Sequence, residues 1–216
     1  VDLLWFDGGW ERSCAEWNCA GLRDLIKSLQ PNVIINERLH GYGDYFTPEQ
    51  SMPAVAPVGP WEMCLTLGRH WGWTPDDKDL KSPLRLVRTL IEVTSRGGNL
   101  LLNTGIRGDG SIDPNQREHF ASIEEWMKLH QRSVIGVEPA DRIDFYGPIT
   151  RTDNSIYLHL LFRPVKEFTI RGLPVDRIKR VILMATGEEL PYTVNFEVHH
   201  RFKPGEDRTG ELYLSE

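Results

Sequence analysis

The chain has 216 residues, 40% of them hydrophobic and 26% charged, with a formal net charge of −6. This composition excludes disordered and fibrous classes and supplies apolar material for one good core and a smaller second one. Scattered lysines and arginines in an acidic chain argue against a nucleic-acid partner, and apolar runs such as residues 100–102 fall far below the roughly 20 residues of a bilayer-spanning helix.

From residue 2 to about 130, short apolar runs alternate with helical patterns, the pattern of an α/β parallel sheet. Strands are predicted over 3–7, 33–36, 61–66 and 99–103. Between the first two, Leu22, Leu25, Ile26 and Leu29 recur at helical spacing and Pro31 stops the helix. Ser82 followed by Pro83 starts a second helix, with Val87, Leu90 and Ile91 on one face and Gly97 and Gly98 at its end. Asp113 and Pro114 start a third, with Phe120, Ile123 and Trp126 as its stripe. Residues 39–60, rich in Gly, Pro and aromatics, read as a long loop, and long loops in compact domains are usually functional. After about residue 140 the periodicity becomes that of strands, predicted at 155–162, 167–170, 178–183, 193–198 and 211–214, as in a small all-β sandwich.

Cys14, Cys19 and Cys64 cannot all pair within one chain and lack zinc-ligand spacing, so they read as reduced thiols in a reducing, cytoplasmic compartment. No secretion signal is visible in the chain. No cofactor is expected. His199 and His200 read as an ordinary pair rather than a metal site, the Asp76, Asp77 and Asp79 cluster as a solvated loop, and Arg107-Gly108-Asp109 as part of a loop rather than an adhesion motif.

Asp7 follows an apolar strand and precedes Gly8 and Gly9, which puts a carboxylate at the strand end where parallel sheets carry their chemistry. An Asp there also suits a turn or a cap, and the segment alone leaves both open. Trp5 and Trp10 offer flat apolar faces on which sugars stack, although tryptophan is more often core.

Taken in order, Leu4-Trp5-Phe6-Asp7-Gly8, Asn36-Glu37-Arg38, Thr47-Pro48-Glu49-Gln50, Trp61-Glu62-Met63-Cys64, residues 97–103 and Gly108-Asp109-Gly110 resemble the alpha-L-fucosidases of glycoside hydrolase family 29. The resemblance extends into the tail through Gly147, Thr150, Tyr157 and Leu158, similar to that family's C-terminal β-sandwich. It implies a retaining glycosidase in which Asp7 is the nucleophile. Retention needs a second carboxyl group, acid first and base afterwards. The resemblance offers Glu49, in the long loop, and as the alternative Glu62, within a strand; with Glu49 in that role Glu62 is substrate-binding or structural, and in its bland reading it is a buried partner for a cation such as Arg38. Arg38 matches the arginine that holds a sugar hydroxyl, and Trp5 and Trp71 match apolar positions around the fucose ring and methyl group.

The resemblance covers only about half of an eight-stranded barrel. It implies a truncated β/α barrel over residues 1–138, followed by a β-sandwich over 139–216. A half-barrel leaves two open sheet edges, so a homo-oligomer acting on fucosylated small molecules or oligosaccharides is expected. The alternative is a fucose-binding remnant without turnover.

Overall fold

The computed structural model describes residues 1–140, 142–164, 166–196 and 209–215. The chain divides into two compact units, one of Val1–Lys81 with Arg96–Arg117, the other of Ser82–Ser95 with Glu118–Glu216. This grouping cuts across the boundary expected at residues 138 and 139.

The first unit is built on parallel pairing. Strand β1 (Leu3–Leu4) pairs with β2 (Ile34–Ile35), and β3 (Glu62–Thr66) pairs with β4 (Asn99–Asn103). Parallel bridges Asn36 to Tyr45, Phe46 to Trp61 and Glu49 to Cys64 join the two pairs into one ribbon. Residues 45–49 are therefore a fifth parallel segment rather than part of a free loop. Gly43, Pro48 and Pro53 around it hide any alternation, since glycine and proline both interrupt a strand pattern.

Helix α1 (Cys14–Trp17) opens on a capping box between Ser13 and Glu16, and Asn18, at φ 47°, turns the chain into α2 (Cys19–Leu29). The apolar stripe of α2 is narrower than the spacing predicted. Cys19, Leu22 and Ile26 pack with Ile35, Leu39 and Phe6, while Leu25 and Leu29 stay exposed.

In the second unit, helices α3 (Pro83–Ser95) and the main part of α4 (Pro114–His130) start where the capping residues predict. Ser82 Oγ accepts the Arg85 amide, and Asp113 Oδ1 accepts the Asn115 amide. Val87 and Ile91 of α3 share one apolar cluster with Val134, Ile123, Trp126, Met127 and Leu161. That cluster packs the two helices on each other and on Val134 and Leu161 of the segments that follow.

Those strands are antiparallel. One sheet runs β5 (Glu138–Pro139), β6 (Ile149–Thr152) and β7 (Ser155–Leu158). A second sets β8 (Glu167–Pro174) beside β12 (Thr209–Ser215), which pairs in turn with β11 (Tyr192–Phe196); β9 (Val181–Leu183) and β10 (Glu188–Leu190) form a hairpin. Ile170, Leu173, Val175, Leu212 and Leu214 are their buried core. Strands β5, β6 and β10 lie outside every predicted strand. They are two to four residues long, too short for alternation to register. Val198, His199 and His200 lie outside the described residues.

Candidate active site

Asp7 stands just past β1, and its position is fixed by a side chain from the neighbouring strand. Asn36, fully buried, accepts the Phe6 amide at 2.7 Å and donates to the Phe6 carbonyl at 2.9 Å. Its carboxamide acts as one more rung of backbone ladder and extends the pairing of β1 and β2 towards Asp7. Gly8 then takes φ 74°, a left-handed conformation that costs a side chain dearly. The turn is held by two donors on the Gly9 carbonyl, Trp17 Nε1 at 3.1 Å and His40 Nε2 at 2.6 Å. A carbonyl only accepts, so His40 carries its proton on Nε2.

Arg38, just past β2, joins the site together. Its Nη1 donates to Asp7 Oδ1 at 2.9 Å and its Nη2 to Glu49 Oε2 at 2.7 Å. The arginine side chain is only 15% exposed, whereas those of Asp7 and Glu49 are 59% and 40% exposed. One mostly buried cation thus gathers two carboxylates that face solvent. The guanidinium lies 4.4 Å from the centroid of the Trp5 ring, a cation–π contact. Burial pushes the Arg38 pKa down, but its bonds to Glu49 and Asp7 outweigh this and leave it raised. Nη2 also lies 3.5 Å from Cys64 Sγ. Burial pushes that thiol up, Arg38 opposes it, and the charges of Glu49 and Glu62 add to the rise.

Glu62 is held differently from the expectation that it pairs with Arg38. Its Oε1 accepts from Trp5 Nε1 at 3.1 Å. Register explains the separation: Glu49 sits beside Cys64, in the middle of β3, and Glu62 lies two residues earlier on that strand, about 6.6 Å away along it. Trp71 is 43% exposed and shares no hydrogen bond or ring contact with these residues among the described residues. The structure therefore brings together Asp7, Arg38, Glu49, Trp5 and Glu62 and leaves Trp71 apart.

Asn36, Glu37, His40 and Thr47 had no role in the reading of the sequence, and all act through hydrogen bonds on groups that carry the site. Asn36, Glu37 and Thr47 stand inside the motifs that carry the resemblance, next to Arg38 and Glu49, and that adjacency was the available signal. Burial raises Tyr45, on the same ribbon, to about 12, helped by the charges of Glu62 and Glu37. No group of three or more potential metal ligands occurs among the described residues. A guanidinium already fills the space between Asp7 and Glu49 where a cation would sit.

The other acidic motifs have local jobs. Asp77 accepts the amides of Arg69 and His70, and Asp79 pairs with the Arg69 side chain at 2.9 Å. Asp109 accepts from Ser111, and Arg107 pairs with Asp113.

The sequence matches the family model described as Alpha-L-fucosidase over residues 1–132. The chain belongs to the alpha-L-fucosidase family. It is 29% identical over 209 residues to the tissue alpha-L-fucosidase of Bos taurus, covering 90% of this chain and 45% of that relative. Among solved structures, alpha-L-fucosidase isoenzyme 1 from Paenibacillus thiaminolyticus is 29% identical with a TM-score of 0.77, over 100% of this chain and 57% of that one. The alpha-L-fucosidase from Vibrio sp. strain EJY3 is 26% identical with a TM-score of 0.80, over 99% of this chain and 39% of that one. The chain spans about half the length of these fucosidases.

Proposed function

We propose that this chain hydrolyses alpha-L-fucosides with retention of configuration, with Asp7 as nucleophile and Glu49 as acid and base. The observation that carries this reading is the shared guanidinium: Arg38 holds both carboxylates on adjacent nitrogens. In the first step an Asp7 oxygen attacks the anomeric carbon, the bond to the leaving oxygen breaks, and Glu49 gives that oxygen its proton. In the second, Glu49 takes a proton from water, the water oxygen attacks the same carbon, and Asp7 leaves as carboxylate. Glu62 orients Trp5 for the sugar ring, and Trp71 is kept as a substrate contact on the family resemblance alone.

Within the first unit, Leu3, Ile34 and Leu101 share the face of the ribbon that carries the site, and all three are exposed. Among the described residues β1 and β4 each pair on one side only. An exposed apolar face with free edges favours association, so the partial β/α barrel read over residues 1–138 is expected to meet a second copy, and residues 139–216 are read as the sandwich.

Release of nitrophenol from a nitrophenyl alpha-L-fucoside tests the reading. Wild type is expected to turn over, Asp7→Gly to lose at least about 10³-fold, and added azide to restore product from the glycine variant. Fucose binding without turnover in wild type would establish the remnant reading instead. Light scattering tests the assembly: a 25 kDa monomer that remains active at nanomolar concentration overturns it.

A further inference from the structure

Arg38 is the centre of the site, and something must hold its guanidinium in the plane that serves two carboxylates at once. Arginine has five N–H donors and no acceptor, so its orientation is set by the acceptors around it. Two of those, Asp7 and Glu49, are the groups to be positioned. The contact from the rear is Thr47: Arg38 Nε donates to Thr47 Oγ1 at 3.0 Å, and Nη2 lies 3.4 Å from the Thr47 carbonyl. Thr47 is buried, 4% exposed.

A threonine hydroxyl has one proton, and it cannot point at a guanidinium. It goes to Glu37, whose Oε1 and Oε2 both lie 3.0 Å from Thr47 Oγ1, while Oε1 also accepts the Thr47 amide at 2.7 Å. Glu37 therefore turns the hydroxyl so that its lone pairs face Nε. It also brings a further carboxylate close to the guanidinium through that hydroxyl. The other charged or titratable groups around the guanidinium are Cys64, beside Nη2, and Glu62, which is engaged by Trp5.

We propose that Glu37 and Thr47 are positioning residues for Arg38: a carboxylate-to-hydroxyl relay that fixes the guanidinium so that Asp7 and Glu49 stay aligned. The inference rests on the fucosidase reading for its consequence in turnover but not for its geometry, and the test separates the two.

Nitrogen-15 NMR of the full chain reads the Arg38 Nε–H, assigned by its loss in Arg38→Lys. In Thr47→Val, which keeps the shape and removes the hydroxyl, its solvent exchange is expected to quicken at least about tenfold, and Thr47→Ser to restore it. On a nitrophenyl fucoside, kcat/KM is expected to fall about 10- to 100-fold in Thr47→Val, mainly through kcat, and to recover in Thr47→Ser. Faster exchange with rescue by serine, in a chain without turnover in any variant, sustains the relay and overturns the catalytic reading. Unchanged exchange in a folded Thr47→Val overturns the relay whatever the activity. If Thr47→Val does not fold, Glu37→Gln carries the same test: faster exchange supports the relay and unchanged exchange defeats it.

Discussion

Each unit of this fucosidase-family chain contains a buried threonine that joins two polar partners, and the two networks serve opposite ends. In the first, Thr47 links a carboxylate to a guanidinium, and the charge is passed outwards to Asp7 and Glu49, which remain exposed. In the second, Thr150, fully buried, donates to the Ser133 carbonyl at 2.6 Å. Its lone pair then has to accept from His159 Nε2 at 3.1 Å, which fixes that tautomer. No formal charge enters this second network at neutral pH. Burial, with the nearby His130 adding to it, pushes His159 down to about 4. Charge that reaches the surface keeps its solvation and can act on a ligand, whereas the buried neutral hydrogen bonds of the second network serve the fold.

The largest effect that tests this contrast is catalytic. Glu49→Ala is expected to lower turnover of fucosides with poor leaving groups about 10²- to 10⁴-fold while sparing activated aryl fucosides, because a good leaving group needs little protonation. Glu62→Ala, which removes only the acceptor for the Trp5 indole, should raise KM or lower stability without leaving-group dependence. A leaving-group dependence found in Glu62→Ala and missing from Glu49→Ala reverses the assignment.

Next in size is the acid sensitivity of the second network. His159 is held neutral when folded and protonates freely when unfolded. Its folded pKa lies below its unfolded value, so between about pH 6.5 and 4 the unfolded chain binds the extra proton and stability falls with falling pH. The full loss is about 3 kcal/mol, complete once pH is well below 4. Denaturant melts of wild type and His159→Gln across that window measure it. The glutamine variant is expected to lose the slope, and parallel curves for the two proteins would show that His159 does not titrate on unfolding.

Gly98 comes third. A Cβ there would lie 2.5 Å from Trp61 Cε2 and Cζ2, and Trp61 is buried with its Nε1 bound to the Arg96 carbonyl. A buried indole tied at its Nε1 cannot swing aside. Gly98→Ala should cost about 1 to 3 kcal/mol through overpacking, read from the midpoint of urea unfolding.

How much of this the sequence disclosed depends on how local each feature is. The starts of α3 and α4 were legible because capping is decided within four residues, at Ser82 and Asp113. Asp7, Arg38 and Glu49 were legible as a set because each lies in a motif shared with a known family. Leu25 and Leu29 misled, since spacing shows that a face is apolar but not how wide a partner covers it. Asn36, Thr47 and Glu37 act by pairing with residues 10 to 30 positions away, and no periodicity reports such a contact. The strand character of residues 45–49 was hidden for the same reason, because it exists only through bridges to Asn36, Trp61 and Cys64.

The smallest effect bears on whether the two units are independent. Ser82 caps α3 through a single 3.3 Å contact to the Arg85 amide, and substitution of such a cap by alanine costs about 1 kcal/mol. The helix it caps contributes Val87 and Ile91 to the cluster with Val134. In Ser82→Ala, amide hydrogen exchange should quicken in α3, in the residues of α4 from 118 onward and in β6 and β7. The amides of β3 and β4, in the first unit, should keep their protection if the units open separately. A matching loss of protection in β3 and β4 would mean that the chain opens as one cooperative body. The stabilities of the exposed carboxylate network and the buried histidine network would then rise and fall together, and the acid sensitivity carried by His159 would reach Asp7 and Glu49 as well.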